Sequence, residues 1–503
     1  MIRTLLILAT LLSAPAGALA HGAPPPAQAS ASAAPRTPVV AVTRHTGVIN
    51  GQTIHYTATV AEHFLLDEKG APAASIITIA YTRDDVKDAA QRPVLFAFNG
   101  GPGASSSPLH MNALGPVRRV GETPGDRASG HLADNPYSPL DAADLVFIDP
   151  VGTGFARAFP GADTKRFYSI TGDAAAVKSV IAEWLKQNHR EASPRYLVGE
   201  SYGTVRAPMI LDVGPPMKFD GVMLIALVGS APGHEMPYVT SLPTMAAGAW
   251  FHNRIDHGDR GVADVYREAV EFARTEYVSA LIQGSSLPDA ERRRVAERMS
   301  KLIGLPVDLI LAKNLRVTDN DYMFNLLKDK GLRTGLLDVR VTAPLEPGEI
   351  GAIDDPSLGV APKRDKNAPA GPALTPESIG AVPSPAVGRY LTEQLKFPTT
   401  ETYYGVNFTV NSKWNHEDHP DAILRLAKAM KADPHLRLFW AAGYYDLTTP
   451  AYEARYTLDQ DGIPADRLTA AYFAGPHGVY AGDDNLAAFD AAVRKFVTDE
   501  ARP

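Results

Sequence analysis

Cysteine is absent from all 503 residues. Its absence excludes disulfides, thiolate catalysis and a cysteine-ligated metal, so a chain of this length must be held by its apolar core. Charge of one sign is also scarce: 49 Lys and Arg against 56 Asp and Glu leave a formal net charge of -7. That balance offers no electrostatic footprint for nucleic acid, and no nucleic-acid partner is expected. The short basic run Arg292-Arg293-Arg294 lies among acids in a helical pattern and reads as a solvated face. Long hydrophobic runs are missing as well. Nothing approaches the roughly 18 uninterrupted apolar residues of a membrane span, so stable membrane insertion is not expected. What is present is 45% hydrophobic and 21% charged residues, a composition that folds around a large core rather than staying disordered.

Met1 to Ala20 has the layout of a secretory signal: Arg3 in a positive n-region, a short apolar stretch from Leu5 to Leu12, and the small-residue site Ala18-Leu19-Ala20, with cleavage expected after Ala20. An N-terminal membrane anchor, the competing reading, needs a longer apolar run. An exported chain without cysteine suits a bacterial periplasm or medium. Residues 21–43 are rich in Ala and Pro with no apolar period and are expected to be a flexible leader.

From there the apolar periods alternate. Thr53 to Val60 and Ser75 to Tyr81 are β-branched with period two and predict antiparallel strands at one edge of a sheet. Pro93 to Phe98, Asp144 to Asp149, Tyr196 to Glu200 and Gly221 to Val228 are continuous apolar runs of the kind buried on both faces. A helical spacing of Val177, Val180, Ile181, Trp184 and Leu185 lies between the second and third of these. This order predicts an α/β fold, a mostly parallel sheet with helices on both faces. The core is expected in two parts, 44–231 and 398–503, around an inserted, largely helical cap at 232–397. The second part carries strands at Leu436 to Ala442 and Arg467 to Phe473 and a closing helix at Asp484 to Val497.

Two stretches carry chemistry. Gly199-Glu200-Ser201-Tyr202-Gly203 ends an apolar strand in G-x-S-x-G, the pattern that lifts a serine onto a sharp turn at a helix N-terminus, where backbone N–H groups can stabilise an oxyanion. Asn99-Gly100-Gly101-Pro102-Gly103-Ala104-Ser105-Ser106 has three glycines in five residues, enough freedom to aim N–H groups at one point. A phosphate loop is the competing reading of those glycines, but no Gly-Lys-Ser/Thr follows.

With Asn135-Pro136-Tyr137-Ser138, the turn ending Gly154-Phe155, and Gly443-x-x-Asp446 followed by Gly475-Pro476-His477, these segments make the sequence resemble the serine carboxypeptidases, the S10 peptidases of the α/β-hydrolase fold, in a bacterial branch. The resemblance implies Ser201 as nucleophile, His477 as general base and acid, and Asp446 as its orienter, in the chain order this fold uses. It implies an oxyanion hole from the N–H groups of Gly101 and Tyr202, and a receptor for the substrate's terminal carboxylate from Asn99, the Gly100 N–H and Glu200. Peptide or protein C-termini are the implied partners, with no metal and no organic cofactor. The sequence departs from eukaryotic members at Ala97, where they carry Trp, at Ala113, where they carry Glu, and after His477, where Gly478-Val479 replaces the expected Met. The expected function is therefore an exported serine carboxypeptidase acting through an acyl-enzyme, with an esterase or acyltransferase on the same residues as the alternative. Oligomeric state has no sequence signal.

Overall fold

A computed structural model describes residues 37–121, 130–346, 355–359, 376–416 and 421–499. The signal segment Met1 to Ala20 lies outside the described residues. Nine strands form the central sheet: β1 Val40–Ile49, β2 Gln52–Leu66, β3 Pro72–Arg83, β4 Val94–Phe98, β5 Asp144–Asp149, β6 Arg195–Glu200, β7 Gly221–Ile225, β8 Arg437–Gly443 and β9 Leu468–Phe473. Their spatial order is β1-β2-β3-β5-β4-β6-β7-β8-β9. The first three are antiparallel to their neighbours, and β5 through β9 with β4 run parallel. This is the mixed sheet of an α/β-hydrolase.

β1 begins at Val40, inside the stretch expected as leader. Val40, Val42, Arg44, Thr46 and Val48 form its exposed row, while Ala41 and Ile49 point inward. Pairing with β2 from Val40↔Ala61 to Ile49↔Gln52 satisfies a backbone that composition alone gave no reason to order.

The helices of ten or more residues are α1 Ile170–Gln187, α2 Gly203–Asp212, α3 Met236–Phe251, α4 Val262–Phe272, α5 Asp289–Ile303, α6 Ala422–Ala432, α7 Ala451–Gln460 and α8 Asp483–Thr498. Side chains alternate across the parallel strands, so each strand feeds two cores. Phe96, Phe98, Leu197, Leu224 and Trp440 pack on one face with Val177, Ile181 and Trp184 of α1 and Val205 and Ile210 of α2. Leu95, Val198, Ile225 and Phe439 pack on the other with Phe489, Val493 and Phe496 of α8. α1 starts where it does because the Ser169 side chain accepts from Gly172 N, satisfying a first-turn donor.

The described residues of 232–397, the stretch expected as a cap, are largely helical, and the first of these helices is interior. Every residue of α3 from Val239 to Ala249 is buried, including Pro243. α3 packs between α4 and α7 and shares a continuous core with the sheet. A helix apolar all round is an interior helix.

Candidate active site

The parallel strands end on one edge, and four loops there bring the chemistry together. Asn99 follows β4, Ser201 follows β6, Asp446 lies three residues beyond β8, and His477 lies four beyond β9. β4 sits between β5 and β6, where the strand order reverses, the place an open parallel sheet leaves a crevice.

Ser201 has φ +59°, a left-handed conformation that a serine adopts only when its surroundings impose it. The constraint comes from both sides of the turn. A Cβ on Gly199 would collide with the Gly203 carbonyl, and one on Gly203 would lie 2.8 Å from the Phe98 oxygen, so both glycines of the motif are required by space. Ser201 N donates to Ile225 O at 3.0 Å, anchoring the turn to β7. α2 then starts at Gly203, with the Ser201 carbonyl accepting from Thr204 N at 2.8 Å.

The glycine loop lies against this turn: a Cβ on Gly100 would collide with Tyr202 N and Cα. Gly101 and Gly103 have φ +99° and +98°. The loop is backed by Asn407 N donating to Gly103 O at 2.8 Å and by Asn411 Nδ2 donating to Pro102 O at 3.3 Å. Buried Asp149 accepts from Ser106 N at 2.8 Å and Ser106 Oγ at 2.7 Å, fixing the loop's far end to β5. Beneath it runs a buried ion pair with no sequence motif. Arg206 Nε meets Asp173 Oδ2 at 2.6 Å, Arg206 Nη1 donates to the Asn99 carbonyl at 2.5 Å, and the guanidinium lies over the Phe98 and Tyr202 rings. One arginine thus links β4, α1 and α2 directly under the serine.

Asp446 is 1% exposed and fully engaged. Oδ1 accepts from Thr448 N at 3.0 Å and Thr449 N at 3.1 Å, and Oδ2 accepts from the Thr449 hydroxyl. Oδ2 also lies 2.8 Å from His477 Nδ1. With the Asp446 oxygen accepting, Nδ1 is the donor there and Nε2 is left as the acceptor nitrogen of the ring. Burial would lower the His477 pKa, but the charge and hydrogen bond of Asp446, followed by the charges of Glu200 and Asp355, outweigh it and hold the pKa above its ordinary value. Gly443 lets the loops meet, since a Cβ there would strike the carbonyls of Gly475 and Pro476.

Glu200 is buried beside the serine, and burial pushes its pKa up to about 7. Opposing this are the His477 charge and hydrogen bonds from Tyr480 and Asn99, while the Asp446 charge adds to the rise. Tyr480 Oη donates to Glu200 Oε2 at 2.7 Å. Sequence reading passed over Tyr480, and its signal was slight: an aromatic three residues beyond the histidine, where the family's methionine was missing. Asn99 Oδ1 accepts from Leu109 N at 3.0 Å.

Ala97 and Ala113 are both buried in the core beneath this site. Ala113 lies on a π-helical turn, His110–Leu114. Asn135 Nδ2 donates to Ala113 O at 2.5 Å and Gly115 O at 2.9 Å, and Ser138 Oγ donates to Leu114 O at 2.6 Å. The Asn135-Pro136-Tyr137-Ser138 motif is accordingly the cap that closes that turn.

Residues 81–213 match the family model described as serine carboxypeptidase. That segment holds the glycine loop and the serine turn. A serine carboxypeptidase-like protein from Arabidopsis thaliana is 30% identical over 132 residues, 26% of either chain. A serine carboxypeptidase from Caenorhabditis elegans is 31% identical over 130 residues, 24% of this chain and 20% of its own. The chain thus aligns with about a quarter of the length of these relatives. Over nearly the whole fold, a prohormone-processing carboxypeptidase from Saccharomyces cerevisiae superposes with a TM-score of 0.51 at 14% identity, covering 88% of this chain and 90% of that one. Residues 81–213 of the chain are thus similar to the serine carboxypeptidase family, on the sheet of an α/β-hydrolase.

Proposed function

We propose that the protein is an exported serine carboxypeptidase that removes C-terminal residues through an acyl-enzyme on Ser201. The observation that carries this reading is the 2.8 Å contact of His477 Nδ1 with Asp446 Oδ2, on two loops at the same sheet edge as the strained Ser201 turn. Ser201 Oγ attacks the scissile carbonyl while His477 Nε2 takes its proton. Asp446 holds the Nδ1 proton and stabilises the imidazolium. The oxyanion that forms is received by the N–H groups of Gly101 and Tyr202, a pairing supported by the packing of Gly100 on the Tyr202 backbone. His477 then protonates the leaving amine, and water, activated by the same base, resolves the ester. Asn99, the Gly100 N–H and Glu200 take the terminal carboxylate. A Glu200 holding a proton donates to that carboxylate instead of repelling it.

A second reading, an esterase or acyltransferase on the same residues, is favoured by one feature. With Ala97 and Ala113 both buried in the core, neither supplies the indole or the second carboxyl of the eukaryotic site. Export rests on the Met1 to Ala20 signal pattern. The test is mass spectrometry of a mixed peptide pool with purified protein, alongside fluorophosphonate labelling. Stepwise loss from C-termini and labelling at Ser201, abolished in Ser201→Ala with roughly a 10^6-fold loss of turnover, are expected. Ester hydrolysis with intact peptides would transfer the assignment to the second reading.

A further inference from the structure

The insertion reaches into the catalytic loops by a short strap, residues 335–341. Leu336 O accepts from Leu447 N at 2.8 Å, and Leu337 O accepts from His477 N at 2.8 Å. Val339 N donates to Tyr445 O at 3.0 Å. Arg340, paired with Asp338, donates to Ala474 O at 3.3 Å and lies over the Tyr445 ring at 4.8 Å. The strap therefore touches the Asp446 loop and the His477 loop at once, largely through backbone, where sequence leaves no trace.

The strap is closed by one buried carboxylate. Asp355 is 2% exposed; Oδ2 accepts from Leu337 N at 3.1 Å, and Oδ1 from Ser357 N at 2.8 Å and Ser357 Oγ at 2.5 Å. Ser357 Oγ in turn accepts from Asp338 N at 3.2 Å. Gly335 leaves room for this knot, since a Cβ there would lie 2.7 Å from Ser357 Oγ. Leu337 is thus held by Asp355 through its N–H while its carbonyl holds His477.

We propose that Asp355 is a positioning residue of the insertion, which fixes the strap that seats His477 and Asp446 and adds its negative charge to those of Asp446 and Glu200 around the imidazole. This rests on the catalytic reading of Ser201, Asp446 and His477. The charges that act most strongly on His477 among the described residues are those of Asp446 from the loop after β8, Glu200 from β6 and Asp355 from the insertion. Arg340 is engaged by Asp338. Burial raises the pKa of Asp355 itself, and its bonds from Ser357 and Leu337 act against that rise.

The experiment uses the full chain with an activated ester, following kcat, KM and fluorophosphonate labelling across pH in wild type, Asp355→Asn and Ser357→Ala. Both variants should lose roughly tenfold to a hundredfold in kcat, the scale of a displaced catalytic group, with KM held. Asp355→Asn should also move the acid limb of kcat/KM to lower pH, because the imidazole loses a neighbour that favours its charged form. Unchanged kcat in both variants, or a fall in Asp355→Asn with its acid limb in place, overturns the proposal. If Asp355→Asn shows no cooperative melt, Ser357→Ala decides it: lower kcat at constant KM supports the strap, and wild-type kcat overturns it. Wild-type labelling separates the two readings, since labelling at Ser201 with unaffected variants sinks the strap alone, and labelling elsewhere sinks the catalytic assignment with it.

Discussion

Glu200 and His477 have opposite protonation requirements in the proposed reaction, and their environments raise both pKa values. His477 must be neutral to act as base, and its raised pKa places the acid limb of activity above the ordinary histidine value of 6.5. Glu200 must be protonated to receive a carboxylate, and its pKa of about 7 places the loss of that function near neutral pH. For a peptide with a free C-terminus, kcat/KM should trace a bell whose two limbs belong to the coupled pair. The same peptide amidated should show the acid limb alone, and Glu200→Gln should flatten the alkaline one. Identical profiles for the two peptides would remove Glu200 from carboxylate recognition. Tyr480 adds a signed check: its hydroxyl favours the ionised Glu200, so Tyr480→Phe should raise the Glu200 pKa and carry the alkaline limb to higher pH. Asp446→Asn should fold and lose roughly 10^4 in turnover through the wrong imidazole tautomer; a loss no larger than that of the exposed control Asp483→Asn would point to another acid.

At the scale of elements, the serine turn is a space problem solved by β6, β4 and α2 together. The backbone of Ser201 is held at φ +59° because Gly203 closes on Phe98 O and Gly199 closes on Gly203 O. Gly203→Ala should therefore shift the turn, costing roughly 1–3 kcal/mol in stability and slowing fluorophosphonate labelling at Ser201. Wild-type labelling rates in that variant would show that the turn tolerates the methyl group. What was legible in the sequence follows the same division. β4 to β7 were readable because each is an apolar run buried on both faces, and the serine turn because only glycine fits its flanks. β1 was not, since its exposed Val40 and Val42 alternate with little that signals burial and its order comes from pairing with β2. Arg206 and Asp173 belong to no sequence motif; only the fold brings them to 2.6 Å. Asp355 sat in a Pro- and Gly-rich stretch with no period, and its partners are mostly backbone N–H groups, which every residue but proline has. Asp446 and His477 were singled out by a family pattern rather than by spacing, and the fold sets them 2.8 Å apart across 31 residues of chain.

For the whole molecule, the question is whether the stretch 232–397, expected as an inserted cap, is a lid or part of the body of the fold. Two features favour the body. α3 is buried from Val239 to Ala249 and shares one continuous core with Leu224, Trp440 and α1, so removing it would expose a large apolar surface. The strap at 335–341 supplies backbone acceptors to His477 N and Leu447 N, which would otherwise be left open at the catalytic edge. Excising 232–397 should therefore yield a chain without a cooperative melt and without fluorophosphonate labelling. A narrower excision, the helical segment 262–303 replaced by a short Gly-Ser bridge, spares α3 and the strap. It still loses Val265, Ala269 and Met299 from the core and should lower the melting temperature while keeping Ser201 labelled. Its peptide preference should change more than its rate with a small activated ester, because the catalytic loops keep their supports. A cooperative melt and full labelling in the larger excision would show instead that the sheet and its edge loops stand alone, and that the insertion is a cap in the strict sense.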